Sequence, residues 1–269
     1  MTLKFNTNLK IGLSIVSIIF LMMIVSLFWT PFDPYIIDET NRLAPPSFHH
    51  LLGTDHLGRD ILSRVMIASQ SSFYVGVISV VIGGIIGTFL GVISGYFGGV
   101  IDMVISKITD SFMSIPSILF LLLVITVMGK DIHNTAISIG ILNIPTFLRI
   151  SRGKVISIKN LQYITWAKII GVKNLRIIFF HIFPNVLPTL IVVCALSFST
   201  AILTEASLSY LGMGVNPPTP TWGELVFRAQ DYLTSNPYYA IVPGLLISLV
   251  AVGFNLLGEG IKENIERSF

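Results

Sequence analysis

Charge is scarce in this sequence. Only 12% of its 269 residues are Asp, Glu, Lys or Arg, and 53% are hydrophobic, whereas a soluble domain carries roughly 25% charged residues. A water-exposed globular enzyme is excluded, and a polytopic membrane protein is indicated. Cysteine is nearly absent. Cys194 stands alone, so neither an internal disulfide nor a cysteine-built structural metal site is available. No stretch fits GxxxxGK[ST], so ATP is not bound by that route, and the five scattered histidines form no HExxH. No residue set has the spacing of metal ligands. The most informative absence is of acid: none occurs between Asp131 and Glu205.

Seven basic residues fall inside that acid-free stretch: Arg149, Arg152, Lys154, Lys159, Lys168, Lys173 and Arg176. Long apolar runs flank them, and a basic block between membrane spans is retained on the cytoplasmic side. Leu161, Ile164, Ala167 and Ile170 recur near helical spacing. Gly171 breaks the pattern as a residue just past a helix end does, and Leu175, Ile178, Phe179 and Ile182 restart it. The spacing predicts two short helices joined at Gly171, with one apolar and one basic face, and with Pro184 stopping the second or starting the next span. A basic amphipathic hairpin lying on anionic lipid would read the same way.

Six apolar runs are expected to span. The first is Ile11–Trp29 behind Lys4 and Lys10, nearly matching a hydrocarbon core of about 30 Å. SLFWTPFDP is a poor cleavage site, so an uncleaved span is expected rather than a signal peptide. The others are 72–97, about 104–128 with a kink at Pro116, about 134–148 with its helix expected to continue beyond the lipid, about 185–208, and 238–257. In the second, Ser79, Gly83, Gly87, Gly91 and Gly95 recur every four residues, a stripe that lets a neighbouring helix approach closely. Residues 212–237 are expected outside, with a short amphipathic helix from Leu225 to Leu233. With both termini inside, twelve basic residues, Lys4, Lys107, Lys262 and Arg267 among them, lie inside and five outside, satisfying the positive-inside tendency.

Several motifs carry a family resemblance. His50–Arg64 reads HLLGTDHLGRDILSR, Glu205–Gly214 reads EASLSYLGMG, Pro217–Gly223 reads PPTPTWG and Asn255–Glu263 reads NLLGEGIKE. Thr165, Trp166, Ala167 and Gly171, followed by Ile182 and Pro184, stand where E-A-A, three residues, Gly and, later, I-x-L-P are usual, with Thr165 replacing the Glu and His181 the Ile. Lys107 and Asp110 precede Pro116 as in R-x-x-D-x-x-x-x-x-P. The chain resembles the permease subunit of a binding-protein-dependent ABC importer, specifically the C-type subunit of the oligopeptide, dipeptide and nickel branch.

That resemblance implies an all-α polytopic protein with six transmembrane helices and both termini cytoplasmic, in the type I importer permease fold of a bacterial cell membrane. It implies a first helix and extracytoplasmic segment over residues 1–70, then a permease core over 71–269 with its cytoplasmic coupling loop at about 150–184. The implied partners are a second permease, two ATPases, an extracytoplasmic binding protein and membrane lipid, with no nucleic acid. The subunit itself would be non-catalytic and hold no cofactor. Thr165, Trp166, Ala167, Gly171, Ile182 and Pro184 would couple it to the ATPase.

Gly53, Thr54, Asp55, Gly58, Arg59 and Asp60 are expected to form local scaffold, with docking of a binding protein or partner as the alternative. Asp55 and Asp60 can cap helix starts or pair with Arg59 and Arg64. His49, His50 and His56 read as polar surface. Glu205, near the outer end of its span where water is close, and Pro116 are candidates for the pathway or gate, although an interface hydrogen bond would also account for Glu205. The missing loop Glu and the GTDHLGRDILSR stretch favour nickel or a metal chelate as cargo over peptide. An ATP-independent secondary transporter or channel would instead need charged pairs or broken helices at the midplane.

Overall fold

The computed structural model describes residues 6–266. Lys4 and Arg267, both counted in the charge asymmetry, lie outside the described residues. Among these residues every regular element is helical, apart from a single antiparallel bridge between Thr54 and Asp60.

Helix α1 (Thr7–Ser26) starts earlier than the apolar run because the Asn6 side chain caps it, accepting from Leu9 N at 2.8 Å. It stops at Ser26, short of Pro31 and Pro34, in keeping with the bar on helical backbone just before proline. It packs against α10 (Tyr238–Glu266), which runs past the expected Leu257. Here Gly12, Gly253 and Gly260 let the two backbones touch: a Cβ on Gly12 would lie 2.7 Å from Leu257 N, and one on Gly260 would lie 2.6 Å from Leu9 N.

The central pair is α2 (Ile61–Phe97) and α5 (Ile132–Lys159). The small-residue stripe of α2 lies against α5. Ser79 Oγ donates to Ala136 O at 3.1 Å, and a Cβ on Gly83 or Gly87 would sit 2.5 Å from Asn143 Cβ or Ile144 O. The second span therefore begins at Ile61 rather than 72, so a boundary at residue 70 falls inside one continuous helix. The helix expected as the fourth span continues past its apolar run, as its shortness suggested, and reaches Lys159, so Arg149, Arg152, Lys154 and Lys159 stand on helix rather than loop.

The third expected span is two helices. α3 (Gly99–Met113) and α4 (Ser117–Met128) meet at 84°. A proline in a helix interior usually kinks it, but Pro116 stands in extended backbone at the N-cap of α4. Because the residue before proline is also pushed out of the α region, Ile115–Pro116 becomes a break. The pair still joins the two ends of the bundle. Asp102 in the first turn of α3 binds Arg152, whereas Lys130, just after α4, donates from Nζ to Gly212 O at 2.7 Å.

The hairpin comprises α6 (Gln162–Ile169) and α7 (Asn174–Ile177). α7 does not stop. It passes through a π turn (Ile178–Ile182) into α8 (Phe183–Tyr210), forming one 37-residue rod. Pro184 was expected as a boundary because it lacks the N–H that an α-helix needs. The wider turn absorbs the defect: Phe183 N bonds Ile178 O, five residues back. The second arm is therefore the start of the helix expected as the fifth span.

α9 (Trp222–Ala229) lies across the far end of the bundle, starting three residues before the expected amphipathic segment. Among the described residues, four helices are long and apolar enough to cross a membrane: α1, α2, the α7–α8 rod and α10. The bent α3–α4 pair makes up to five.

Candidate functional site

The hairpin is built around an apolar inner face. Ile164, Ile177 and Ile182 are fully buried, and Ala167 nearly so, in one cluster with Val92 and Tyr96 of α2, Val155 and Ile158 of α5, and Val186 of α8. Its outer face, expected to be basic, carries exposed Lys168 but also large apolar side chains: Trp166, Ile169 and Ile170 are 64–74% exposed. Trp166 and Ile169 lie on α6 and Ile170 is its C-cap, so the large apolar side chains at this end of the helix are not covered by the rest of the described chain.

Gly171 closes α6 in a Schellman turn. Its N–H bonds Lys168 O and Val172 N–H bonds Ala167 O, each at 3.0 Å, and its φ is +80°. A Cβ there would meet nothing within 4 Å, so glycine is required by backbone conformation and not by space. Of the six residues expected to couple to an ATPase, Thr165, Trp166, Gly171 and Pro184 are exposed, whereas Ala167 and Ile182 are buried in the core. The structure thus divides them between an outward surface and its anchor.

At the opposite end, the signature residues fold onto one another. Asp60 caps α2, its Oδ2 accepting from Ser63 N and Oγ at 2.8 Å, and His50 Nδ1 lies 2.9 Å from its Oδ1. Asp55 Oδ2 takes Arg59 Nε at 2.7 Å and faces Arg64 Nε at 3.5 Å. Arg64, 1% exposed, also reaches Glu224 Oε2 of α9 at 3.2 Å, and Glu224 Oε1 holds Arg228 at 3.3 Å. Thr54 O accepts from Asn236 Nδ2 at 3.0 Å, and the Thr54 hydroxyl bonds Asn41 O. At Gly58, with φ +78°, a Cβ would overlap the carbonyl of Asp38. These residues tie the segment before α2 to α9 and to the start of α10.

Two histidines expected as polar surface are partners in this structure: His50 through Asp60, and His56 through Tyr239 Oη at 3.2 Å and a stacked Tyr232 ring 5.6 Å away. Burial pushes the His56 imidazole below its ordinary proton affinity. The signal in sequence was only the neighbouring acid and aromatic residues, and Tyr239 stands 183 positions away.

Glu205 and Pro116 are not brought together. Pro116 is exposed at the α3–α4 break. Glu205, expected near water, is 1% exposed beneath α9. Its Oε1 accepts from Ser209 Oγ at 2.7 Å and from Thr221 Oγ1 at 2.8 Å, and its Oε2 is buried without a partner among the described residues. Thr221 in turn caps α9 by accepting from Glu224 N at 3.1 Å. Glutamine at 205 keeps the accepting oxygen, so Glu205→Gln should lower stability by less than the ~1 kcal/mol of a typical hydrogen bond. Thr221→Val removes both the cap and the donor and should cost about 2 kcal/mol. Thermal melts of the purified protein check the order.

Residues 87–269 match the family model described as the binding-protein-dependent transport system inner membrane component. The chain is 39% identical over 252 residues to the probable D,D-dipeptide transport system permease protein DdpC of Escherichia coli K12, covering 94% of this chain and 85% of that one. It is 40% identical to the dipeptide transport system permease protein DppC of Alkalihalophilus pseudofirmus, over 98% of this chain and 87% of that one. It is 35% identical to the glutathione transport system permease protein GsiD of Pectobacterium atrosepticum, over 91% and 83%. In fold it is similar to a chain in the inward-facing conformations of the MetNI methionine ABC transporter, with a TM-score of 0.56 over 75% of this chain and 97% of that one at 15% identity.

Proposed function

The chain belongs to the binding-protein-dependent transport system inner membrane components, non-catalytic multi-pass permeases of ABC importers, and from that premise we propose that its cargo is a di- or oligopeptide. The observation that carries the reading is the similarity, over nearly the whole chain, to permeases named for D,D-dipeptide, dipeptide and glutathione. The nickel or metal-chelate cargo favoured by the GTDHLGRDILSR stretch and the missing loop Glu has no support among these relatives. Uptake of a labelled dipeptide by cells expressing the complete system tests the choice. Unlabelled dipeptides should compete and nickel chelates should not. Saturable nickel uptake that peptides leave untouched would overturn the peptide assignment.

The working unit pairs this chain with a second permease, two cytoplasmic ATPases and an extracytoplasmic binding protein. Six passages are proposed, α3–α4 counting as one and α5 as another, with the hairpin facing the cytoplasm. The outward face of α6 docks in the ATPase, supported by the exposure of Trp166, Ile169 and Ile170. The usual Glu is Thr165, so docking rests on apolar fit with basic flanks. ATP-driven closure of the ATPases moves the hairpin, and the spans follow between inward-facing and outward-facing states. The energy for that shift is the difference in hairpin docking between the two ATPase states.

Gly171→Leu tests the hairpin. A side chain in the left-handed region costs about 1–2 kcal/mol, and with open space around it the strain falls on the α6–α7 angle and not on the core. The complex should assemble while transport slows. Normal uptake would count against the coupling site.

A further inference from the structure

Tyr96 is the next-to-last residue of α2 and only 7% exposed. Its hydroxyl donates to Asn174 Oδ1 at 2.8 Å, and Lys168 Nζ stands 5.3 Å from its ring centroid. Lys168 lies in the last turn of α6 and Asn174 opens α7. One ring is therefore gripped from both arms of the hairpin, on either side of Gly171.

The two residues before it are held from the other side. Gly95 O accepts from Lys159 Nζ at 2.7 Å. Ser94 Oγ donates to the Asp102 carboxylate, which also takes Arg152 Nε at 2.5 Å and Nη2 at 2.7 Å. Ser94, Gly95 and Tyr96 thus join α3, α5 and the hairpin to the end of one helix.

That helix is unbroken for 37 residues, with no proline, and so is a rod of about 55 Å. Its far end carries Asp60 and the buried Arg64. The covalent routes out of the hairpin are less regular. Towards α8 the chain passes a π turn and Pro184, and towards α5 it leaves the helix at Asn160 and Leu161.

We propose that Tyr96 is the positioning residue through which displacement of the hairpin is passed to α2, so that α2 carries the motion to the Asp55–Arg64–Glu224 end. The proposal rests on the reading of the hairpin as the ATPase-coupling element. The side-chain joint carries a hairpin shift into α2, beside the backbone route from α7 into α8.

The test uses the complete importer in liposomes and reads peptide transported per ATP hydrolysed, with assembly followed by melting temperature. Tyr96→Phe keeps the ring under Lys168 and removes the bond to Asn174, and should lower the ratio by about fivefold, the worth of one hydrogen bond. Asn174→Ala should give the same loss, and the double variant no further loss, because both remove one interaction. Asn174→Asp keeps the acceptor and should restore the ratio, a rescue that a merely structural effect on packing would not show. Should Tyr96→Phe impair assembly, the contrast of Asn174→Ala with Asn174→Asp still decides.

An unchanged ratio in both single variants, or two losses that add, would overturn the proposal. Gly171→Leu measured beside them separates the two failures. If it uncouples while Tyr96→Phe does not, the transmission point is wrong. If neither uncouples, the hairpin assignment is wrong.

Discussion

Arg64→Met should lower the stability of the protein by about 3 kcal/mol, the lower end of the about 3–5 kcal/mol seen when one partner of a buried ion pair is removed. Arg64 has a side chain only 2% exposed, between Asp55 Oδ2 at 3.5 Å and Glu224 Oε2 at 3.2 Å. Methionine fills much of the same space but leaves two carboxylates short of a counter-charge where water does not reach. The lower end applies because Arg59 still holds Asp55 at 2.7 Å and Arg228 still holds Glu224 at 3.3 Å. Adding Glu224→Gln should recover part of the loss, since the charge left stranded on α9 is then gone. Melting of the detergent-solubilised protein gives the comparison. A single variant within about 0.5 kcal/mol of the parent, the usual range for a surface change, would show that Arg64 is not the counter-ion of this cluster.

Gly91→Leu should be more damaging still. α2 meets α5 along Ser79, Gly83, Gly87, Gly91 and Gly95, and a Cβ at Gly91 would stand 2.5 Å from Leu148 O and collide with Ser151 Oγ. Backbone cannot swing aside as a side chain can, so the helices must separate and the stripe loses its contacts along its length. Over-packing a core commonly costs about 1–3 kcal/mol, and this change should exceed that and prevent accumulation of the protein. Gly91→Ala should already be destabilising. Gly84→Ala, whose Cβ would make only ordinary contact with Phe147 at 3.6 Å, should be neutral or stabilising by up to about 1 kcal/mol, the helix-propensity gain. Membrane expression levels and melting temperatures of the three variants check the order, and equal effects at 84 and 91 would contradict the packing described.

Features written in local chemistry were legible in the sequence. The four-residue stripe of α2 could be read because close approach requires small side chains at a helical period. Gly171 could be read because a Schellman turn requires a left-handed residue. Asp55 and Asp60 could be read as helix caps or as partners of Arg59 and Arg64, but not which of them does which. The α3–α4 break and the passage of α7 through Pro184 into α8 were not legible. Both turn on whether a proline ends, bends or is absorbed by a helix, and that depends on the tertiary environment. Arg64 with Glu224, 160 residues apart, and Tyr96 with Asn174, 78 apart, leave no periodic trace in either segment. The enclosure of Glu205 followed from α9 folding over the end of α8, which hydropathy does not report.

The measurement closest to the central claim is purification of the tagged chain from its own membranes in mild detergent, followed by reconstitution with whatever accompanies it. A second permease and two ATPases should be recovered with it, and liposomes holding the assembly should take up dipeptide only when ATP and the binding protein are supplied. A chain that purifies alone and moves peptide without ATP would contradict that claim.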